Sequence, residues 1–179
     1  MPDINLNLLL TYDPDTGYLY WKERYYEDFP HLKSNNVDSF NTRCANKPAL
    51  RCIGSGGYYV GRVLTKQYLA HRVIWKMNNG DWPKHQIDHI DGDKLNNRLC
   101  NLREASSREN SRNFPLGCNN KTGFFGVYQI KSGKWLARIQ GDNGQQVHLG
   151  YFDTLEEAAQ CRKEAEMKYG YHENHGRTP

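Results

Sequence analysis

Asp88 and His89 stand side by side, and two asparagines follow, Asn101 twelve and Asn110 twenty-one residues beyond the histidine. A carboxylate beside an imidazole, followed by two amides, is a set that can hold one divalent metal over a phosphodiester. Hydrolysing that ester needs an activated water, neutralised charge on the scissile phosphate and help for the leaving oxygen. A single hard cation held by oxygen ligands supplies the last two. Asp88 is the first expected ligand and Asn110, through its amide oxygen, the second. An imidazole takes up a proton near neutral pH, so His89 is the expected general base acting on the attacking water. Asn101 is expected to stay off the metal and to brace the intervening loop by hydrogen bonds to backbone. Asp91-Gly92-Asp93 opens like a calcium loop, but no glutamate follows at the required offset. Asn96 and Asn97 read as ordinary loop residues with no role of their own.

These residues need a strand, a long loop, a return strand and a helix to bring them together, and residues 67–114 spell such a unit. Tyr68 to Met77 has helical periodicity, with Leu69, Val73, Ile74 and Met77 on one stripe, and Asn78-Asn79-Gly80 followed by Pro83 stops it. Ile87 to Ile90 reads as a short strand and Asp91-Gly92-Asp93 as its turn. Asn101-Leu102-Arg103 starts the return strand, and Ser106-Ser107 caps a helix carrying Arg108-Glu109-Asn110. Upstream, 1–66 reads as β-rich. Asp13-Pro14-Asp15-Thr16-Gly17 turns between Leu8-Leu9-Leu10 and Tyr18-Leu19-Tyr20-Trp21, and Gly54-Ser55-Gly56-Gly57 leads into Tyr58 to Val63. Residues 25–47 read as a polar loop.

Downstream, 115–121 is a linker rich in glycine, proline and asparagine, 122–170 a separate module, and 171–179 a loose tail. Gly126 to Lys131, Lys134 to Gln140 and Gln146 to Phe152 read as three antiparallel strands packed on a helix from Leu155 to Tyr169, with Thr154 and Glu157 at capping-box spacing. Alternation places Val127, Trp135, Ala137, Ile139, Val147, Leu149 and Tyr151 on the helix side. The opposite face then shows Tyr128, Ile130, Lys134, Arg138, Gln140, Gln146 and His148. A β-ribbon fits a major groove, and Arg and Gln suit the edges of guanine and adenine.

Asp88-His89, Asn101 and Asn110 resemble the H-N-N variant of the HNH, or ββα-metal, nuclease motif. Ala70-His71-Arg72-Val73-Ile74-Trp75, Gly80-Asp81-Trp82-Pro83 and Asn97-Arg98-Leu99-Cys100-Asn101-Leu102-Arg103 also resemble phage and intron-encoded HNH homing endonucleases. The resemblance implies a ββα-metal core, one Mg²⁺ or Mn²⁺ per site and cleavage of double-stranded DNA. Arg103 and Asn113 are then expected phosphate contacts or supports behind the ligands. His71 either touches the DNA backbone or packs beneath the site. Residues 122–170, above all Leu149-Gly150-Tyr151-Phe152-Asp153-Thr154-Leu155-Glu156-Glu157-Ala158-Ala159, resemble the DNA-binding domain of plant ethylene-response factors of the APETALA type. That implies a sheet laid into DNA, with Tyr128, Lys131, Lys134, Arg138, Gln140, Gln146 and His148 as contacts. Positions that are arginine in the plant domains are Tyr128, Ile130, Gln140 and Gln146 here, so the plant target sequence does not carry over.

Bulk properties agree with an α+β protein of this kind. The 179 residues carry a net charge of +4, 37% hydrophobic residues and 12% aromatics. Residues 51–84 hold six Lys/Arg against Asp81 alone, and 110–141 hold Arg112, Lys121, Lys131, Lys134 and Arg138 without an acid, blocks that favour a polyanion. No apolar run nears the roughly 20 residues that span a bilayer. Met1-Pro2-Asp3 does not open a signal peptide, so a cytoplasmic protein with no membrane partner is expected. No coiled-coil heptads or self-complementary strand stand out, so a monomer is the default, and the resemblance implies a bacterial or phage-infected cell. The five cysteines form no C-x-x-C pair and read as reduced, buried thiols. Two rivals stand beside a site-specific, homing-type DNA endonuclease. One is a sequence-specific DNA-binding protein with a vestigial centre, the other a nuclease acting on RNA.

Overall fold

The structure is a computed structural model describing residues 5–29, 34–117 and 119–176. It mixes helices with small antiparallel sheets and divides into two compact units, Met1–Ala105 and Ser106–Pro179.

In the first unit, strands β1 (Leu10–Asp13) and β2 (Tyr18–Trp21) form the expected hairpin, with Leu10 opposite Trp21 and Asp13 opposite Tyr18. The Asp13 carboxylate closes its turn by accepting from the Asp15 N–H and the Thr16 hydroxyl. Helix α1 (Ser34–Cys44) then precedes β3 (Pro48–Ala49), which pairs with β2. This helix falls where a polar loop was expected. Its Asn, Ser, Asp and Thr content carries no helical signal. Tertiary packing supplies what propensity lacks: Phe40 stands edge-on to Trp21 at 5.6 Å, and the Arg24 guanidinium lies 3.4 Å from the Phe40 ring centre.

Strands β4 (Cys52–Ile53), β5 (Tyr59–Val63) and β6 (Lys66–Leu69) form a second sheet, followed by helix α2 (Ala70–Asn79). The helix starts two residues later than its periodicity implies. Tyr68 and Leu69 are drawn into the ladder opposite Gly61 and Val60. Gly80 ends the helix at φ +85°, its N–H on the Lys76 carbonyl. Strands β7 (Gln86–His89) and β8 (Leu102–Ala105) pair with Asp88 opposite Arg103 and His89 opposite Leu102. One core joins Leu10 and Leu19 of the hairpin, Val63 of the second sheet, Val73 and Ile74 of α2, and Ile87 and Leu102 of the last ladder. Burying each such side chain contributes about 1.5–3 kcal/mol. The boundary expected at 66/67 therefore falls inside one packed body.

The second unit opens with helix α3 (Ser107–Ser111), which carries Asn110. Ser106 and Glu109 close a reciprocal cap at its start. Strands β9 (Val127–Gln129), β10 (Trp135–Gln140) and β11 (Gln146–Phe152) form a sheet in the order β11-β10-β9, and α4 (Leu155–Lys168) packs on it through Ala158 against Val127 and Ala137. Thr154 and Glu157 complete the capping box.

One strand departs from simple alternation. Ala137 faces Gly150 but Arg138 faces His148, so β11 carries an extra residue. The bulge reverses parity beyond it. Phe152 turns into the core, and Tyr151, expected there, is 58% exposed on the outer face. The tail expected to be loose is packed in: the Tyr171 hydroxyl donates to the Gln140 carbonyl, the Gly176 N–H to the Phe114 carbonyl, and His175 stacks on Phe125 at 4.5 Å. The His175 side chain is only 5% exposed. Cys44, Cys52, Cys100 and Cys161 are free thiols, but Cys52 and Cys100 are exposed rather than buried, and Cys118 lies outside the described residues. No described helix is long and apolar enough to cross a membrane.

Candidate active site

His89 closes β7 and is buried. Its Nε2 lies 2.8 Å from the Asn97 Oδ1. An amide oxygen only accepts, so this bond places the proton on Nε2 and makes Nδ1 the basic nitrogen. Asn97 is itself only 1% exposed, the signature of a residue held for a purpose rather than a loop filler. The other side of the imidazole is walled by His71, edge-on at 5.2 Å, and by Tyr58 at 5.8 Å. His71 is 4% exposed, and its Nδ1 has no hydrogen-bond partner among the described residues. Burial, then the nearby His89 and Arg72, push its pKa down to about 3. A neutral ring therefore lies against the general-base candidate. Burial, followed by the Asp88 charge, also raises the Tyr58 phenol.

Asp88 is buried, and its Oδ2 receives the Arg103 Nε at 3.0 Å and Nη2 at 2.8 Å, directly across the ladder. Arg103 thus supports the carboxylate from the neighbouring strand. Among the described residues no group of three or more His, Cys, Asp or Glu stands close enough to hold a metal ion. A hydrated hard cation that keeps most of its shell for water and phosphate asks only one or two protein oxygens. A buried carboxylate such as Asp88 fits that kind of ion.

The loop from Asp91 to Asn101 is held at both ends. The Asn101 Oδ1 accepts from the Asp91 N–H at 3.0 Å, and its Nδ2 donates to the Asp91 carboxylate and the Asn96 carbonyl, each at 2.8 Å. Desolvation would raise the Asp91 carboxyl, but bonds from Asn96, Asn101 and the Asp93 N–H hold it below the usual range. The N-terminal hairpin presses on the same loop. Tyr12 Oη accepts from the Leu99 N–H at 2.8 Å and reaches the Asn97 carbonyl at 3.4 Å, while Arg98 Nε donates to the Asp15 carbonyl at 2.7 Å. Gly17, at φ +75°, lies so close that a Cβ there would stand 2.6 Å from the Arg98 nitrogen and 2.8 Å from the Asn97 carbonyl carbon. Asn97, Tyr12 and Gly17 were all missed in the sequence. Tyr12 and Gly17 meet partners eighty or more residues away along the chain, beyond any spacing rule, and Asn97 lies eight residues from His89 in a loop whose path no periodicity fixes.

The first unit thus brings Asp88, His89, Asn101, Arg103 and His71 together. His71 packs beneath the site rather than standing on a DNA-facing surface. Asn110 and Asn113 belong to the second unit, where the Asn113 N–H meets the Asn110 carbonyl at 3.1 Å. Asn113 is buried. On the sheet of that unit Tyr128, Arg138, Gln140, Gln146 and His148 are exposed, as is Lys131 just beyond β9. Arg138 stacks over Tyr128 at 4.7 Å, and His148 lies 4.7 Å from Tyr151, an outer-face residue the alternation hid. Lys134 pairs with Asp153 at 3.1 Å.

Comparison with known proteins gives these features a context. Residues 68–112 match the model of an HNH endonuclease family. The chain is similar to Protein 3.8 of Escherichia phage T7, at 37% identity over 91 residues, covering 50% of this chain and 74% of that one. It is also similar to an HNH endonuclease of Acanthamoeba polyphaga mimivirus, at 36% over 110 residues, 60% of this chain and 56% of the relative. A 48-residue stretch is 52% identical to an ethylene-responsive transcription factor of Arabidopsis thaliana, covering 26% of this chain and 19% of that protein. No solved structure matches the chain.

Proposed function

We propose that this chain, which belongs to the HNH endonuclease family, is a homing-type, site-specific endonuclease that hydrolyses one phosphodiester of duplex DNA per active centre. The observation that carries the reading is the buried His89, oriented by Asn97 and set beside Asp88, inside the segment that matches the family.

In this reading His89 Nδ1 takes a proton from a water, whose oxygen attacks phosphorus as the ester oxygen leaves. Asn97 keeps the Nε2 proton in place and steadies the imidazolium that forms. Asn101 keeps the loop closed on the strand end. Asp88, and from the sequence Asn110, are the oxygen donors for Mg²⁺ or Mn²⁺. When bound, such an ion neutralises charge on the phosphate and stabilises the leaving oxygen. The exposed Tyr128, Arg138, Gln140, Gln146 and His148 of the second unit read the duplex. A single centre per chain favours nicking.

The Asp88–Arg103 ion pair favours a second reading, a sequence-specific DNA-binding protein whose centre no longer turns over, because the guanidinium already neutralises the expected ligand. Supercoiled plasmid incubated with Mg²⁺, Mn²⁺ or EDTA separates the two. Open-circle or linear product that EDTA and Asp88→Ala both abolish supports the nuclease. Retained duplex binding without any product supports the second reading.

A further inference from the structure

A cavity of about 270 Å³ opens beside the sheet of the second unit, lined among others by Arg112, Arg138, Arg162, Phe114, Tyr128 and Tyr171. That is the liquid volume of roughly nine waters, ample for a phosphate with part of its sugar.

Arg162 is the unusual member. It projects from α4 and is 5% exposed, yet its Nη1 has no hydrogen-bond partner among the described residues. The rest of the guanidinium is spoken for: Nε donates to the Phe125 carbonyl at 2.8 Å and Nη2 pairs with Glu166 at 3.1 Å. Arg112 pairs with Asp142 at 3.1 Å, and both Arg112 and Arg162 stack on Tyr171, at 4.8 and 5.1 Å. Arg138 has no carboxylate partner among the described residues. Three guanidiniums thus face two carboxylates, leaving one positive charge uncompensated beside a buried N–H with nothing to donate to. Leaving such a donor unmet costs free energy that folding does not recover. A single water would satisfy the N–H and leave the charge, whereas an anionic oxygen answers both.

We propose that this cavity is a socket for a phosphate group of the DNA backbone, with Arg162 at its floor and Arg112 and Arg138 at its sides. The choice of backbone phosphate rests on the reading that the adjoining sheet face grips duplex DNA, because Arg138 and Tyr128 belong to both. The packed tail gains a purpose from it, since Tyr171 is the ring that holds two of the three guanidiniums in place.

The test is the affinity of the full chain for a 20-base-pair duplex across a series of salt concentrations. Arg112→Gln, Arg162→Gln and Phe114→Glu are compared with wild type. Each phosphate neutralised contributes roughly 0.9 to the slope of log affinity against log salt. Loss of the socket is expected to flatten that slope by about one and to weaken binding about tenfold at 0.1 M salt. Arg162 also holds the Phe125 carbonyl, so where its variant fails to fold Phe114→Glu stands in, setting a carboxylate at a residue that is 53% exposed. An unchanged slope and an affinity within twofold of wild type for both Arg112→Gln and Phe114→Glu, with circular dichroism unchanged, overturn the socket. Wild type that binds no duplex overturns the DNA reading itself. Inorganic phosphate, titrated at constant ionic strength, distinguishes the sources. If it raises the thermal midpoint of wild type but not of Phe114→Glu, while the duplex slopes stay equal, the pocket serves a free phosphate and the backbone assignment is wrong.

Discussion

The two units are held by different means. In the first, the loop around the candidate base is fixed by bonds reaching far along the chain: Leu99 to Tyr12, Arg98 to Asp15, and the backbone of Gly17 against Asn97. In the second, the sheet and helix rest on a small core of Val127, Ala137 and Ala158 with a cap built from residues three apart. Placing one imidazole nitrogen demands constraint from several directions. A sheet that only presents its outer side chains needs a regular scaffold that leaves them exposed.

Substitutions can break this contrast. His89→Ala is expected to slow single-turnover cleavage by about 10²–10⁴-fold and leave duplex affinity unchanged, as measured by rapid quench beside a binding isotherm. Asn97→Ala removes the acceptor of a buried N–H. Its expected effect is a roughly tenfold to hundredfold slower reaction, with the same affinity and a displaced pH–rate profile. Gly17→Ala brings a Cβ against the loop backbone and should destabilise the first unit by about 1–3 kcal/mol in thermal unfolding. Gly123→Ala, in the second unit at a similar positive φ but with nothing near its Cβ, should cost about 1 kcal/mol from conformation alone.

A pH dependence sharpens the contrast further. His71 is held neutral in the folded unit down to about 3, while the unfolded chain takes up its proton near the ordinary 6.5. The unfolded state therefore binds more protons between these values. His71 costs no stability above 6.5, and stability falls as pH drops toward 3, by about 1.4 kcal/mol per pH unit at most. Chemical denaturation at pH 7 and pH 5 should show the loss in wild type and a shallower one in His71→Leu. The smallest expected effect belongs to Tyr151→Ala, a few-fold loss of duplex affinity with no change in the rate at saturation.

Much of the site was legible because its chemistry is local. Asp88 and His89 are adjacent, Asn101 stands immediately before the return strand, and Asp91-Gly92-Asp93 marks the start of the loop. The β1–β2 hairpin, the three-stranded sheet and the Thr154–Glu157 cap follow from alternation and spacing. What escaped the sequence was what depends on distant partners or on parity. Asn97 looks like any loop asparagine until His89 and Tyr12 are seen around it. Helix α1 is written in residues of poor propensity, and Arg24 and Phe40 make it only once Trp21 is present. Tyr151 was put on the wrong face because one bulged residue at Leu149–Gly150 reverses everything after it. The burial of Arg162 has no signal in the helix's own pattern, because the Tyr171 ring against its guanidinium belongs to the tail.

The most direct measurement sets cleavage rate at saturating protein beside duplex affinity for wild type, His89→Ala and Tyr151→Ala in one Mg²⁺ buffer. The account predicts a clean separation: His89→Ala loses the rate and keeps the affinity, and Tyr151→Ala weakens the affinity and keeps the rate. A His89→Ala protein that cuts at the wild-type rate, or a Tyr151→Ala protein that binds normally and cuts slowly, would contradict the division of chemistry and grip between the two units.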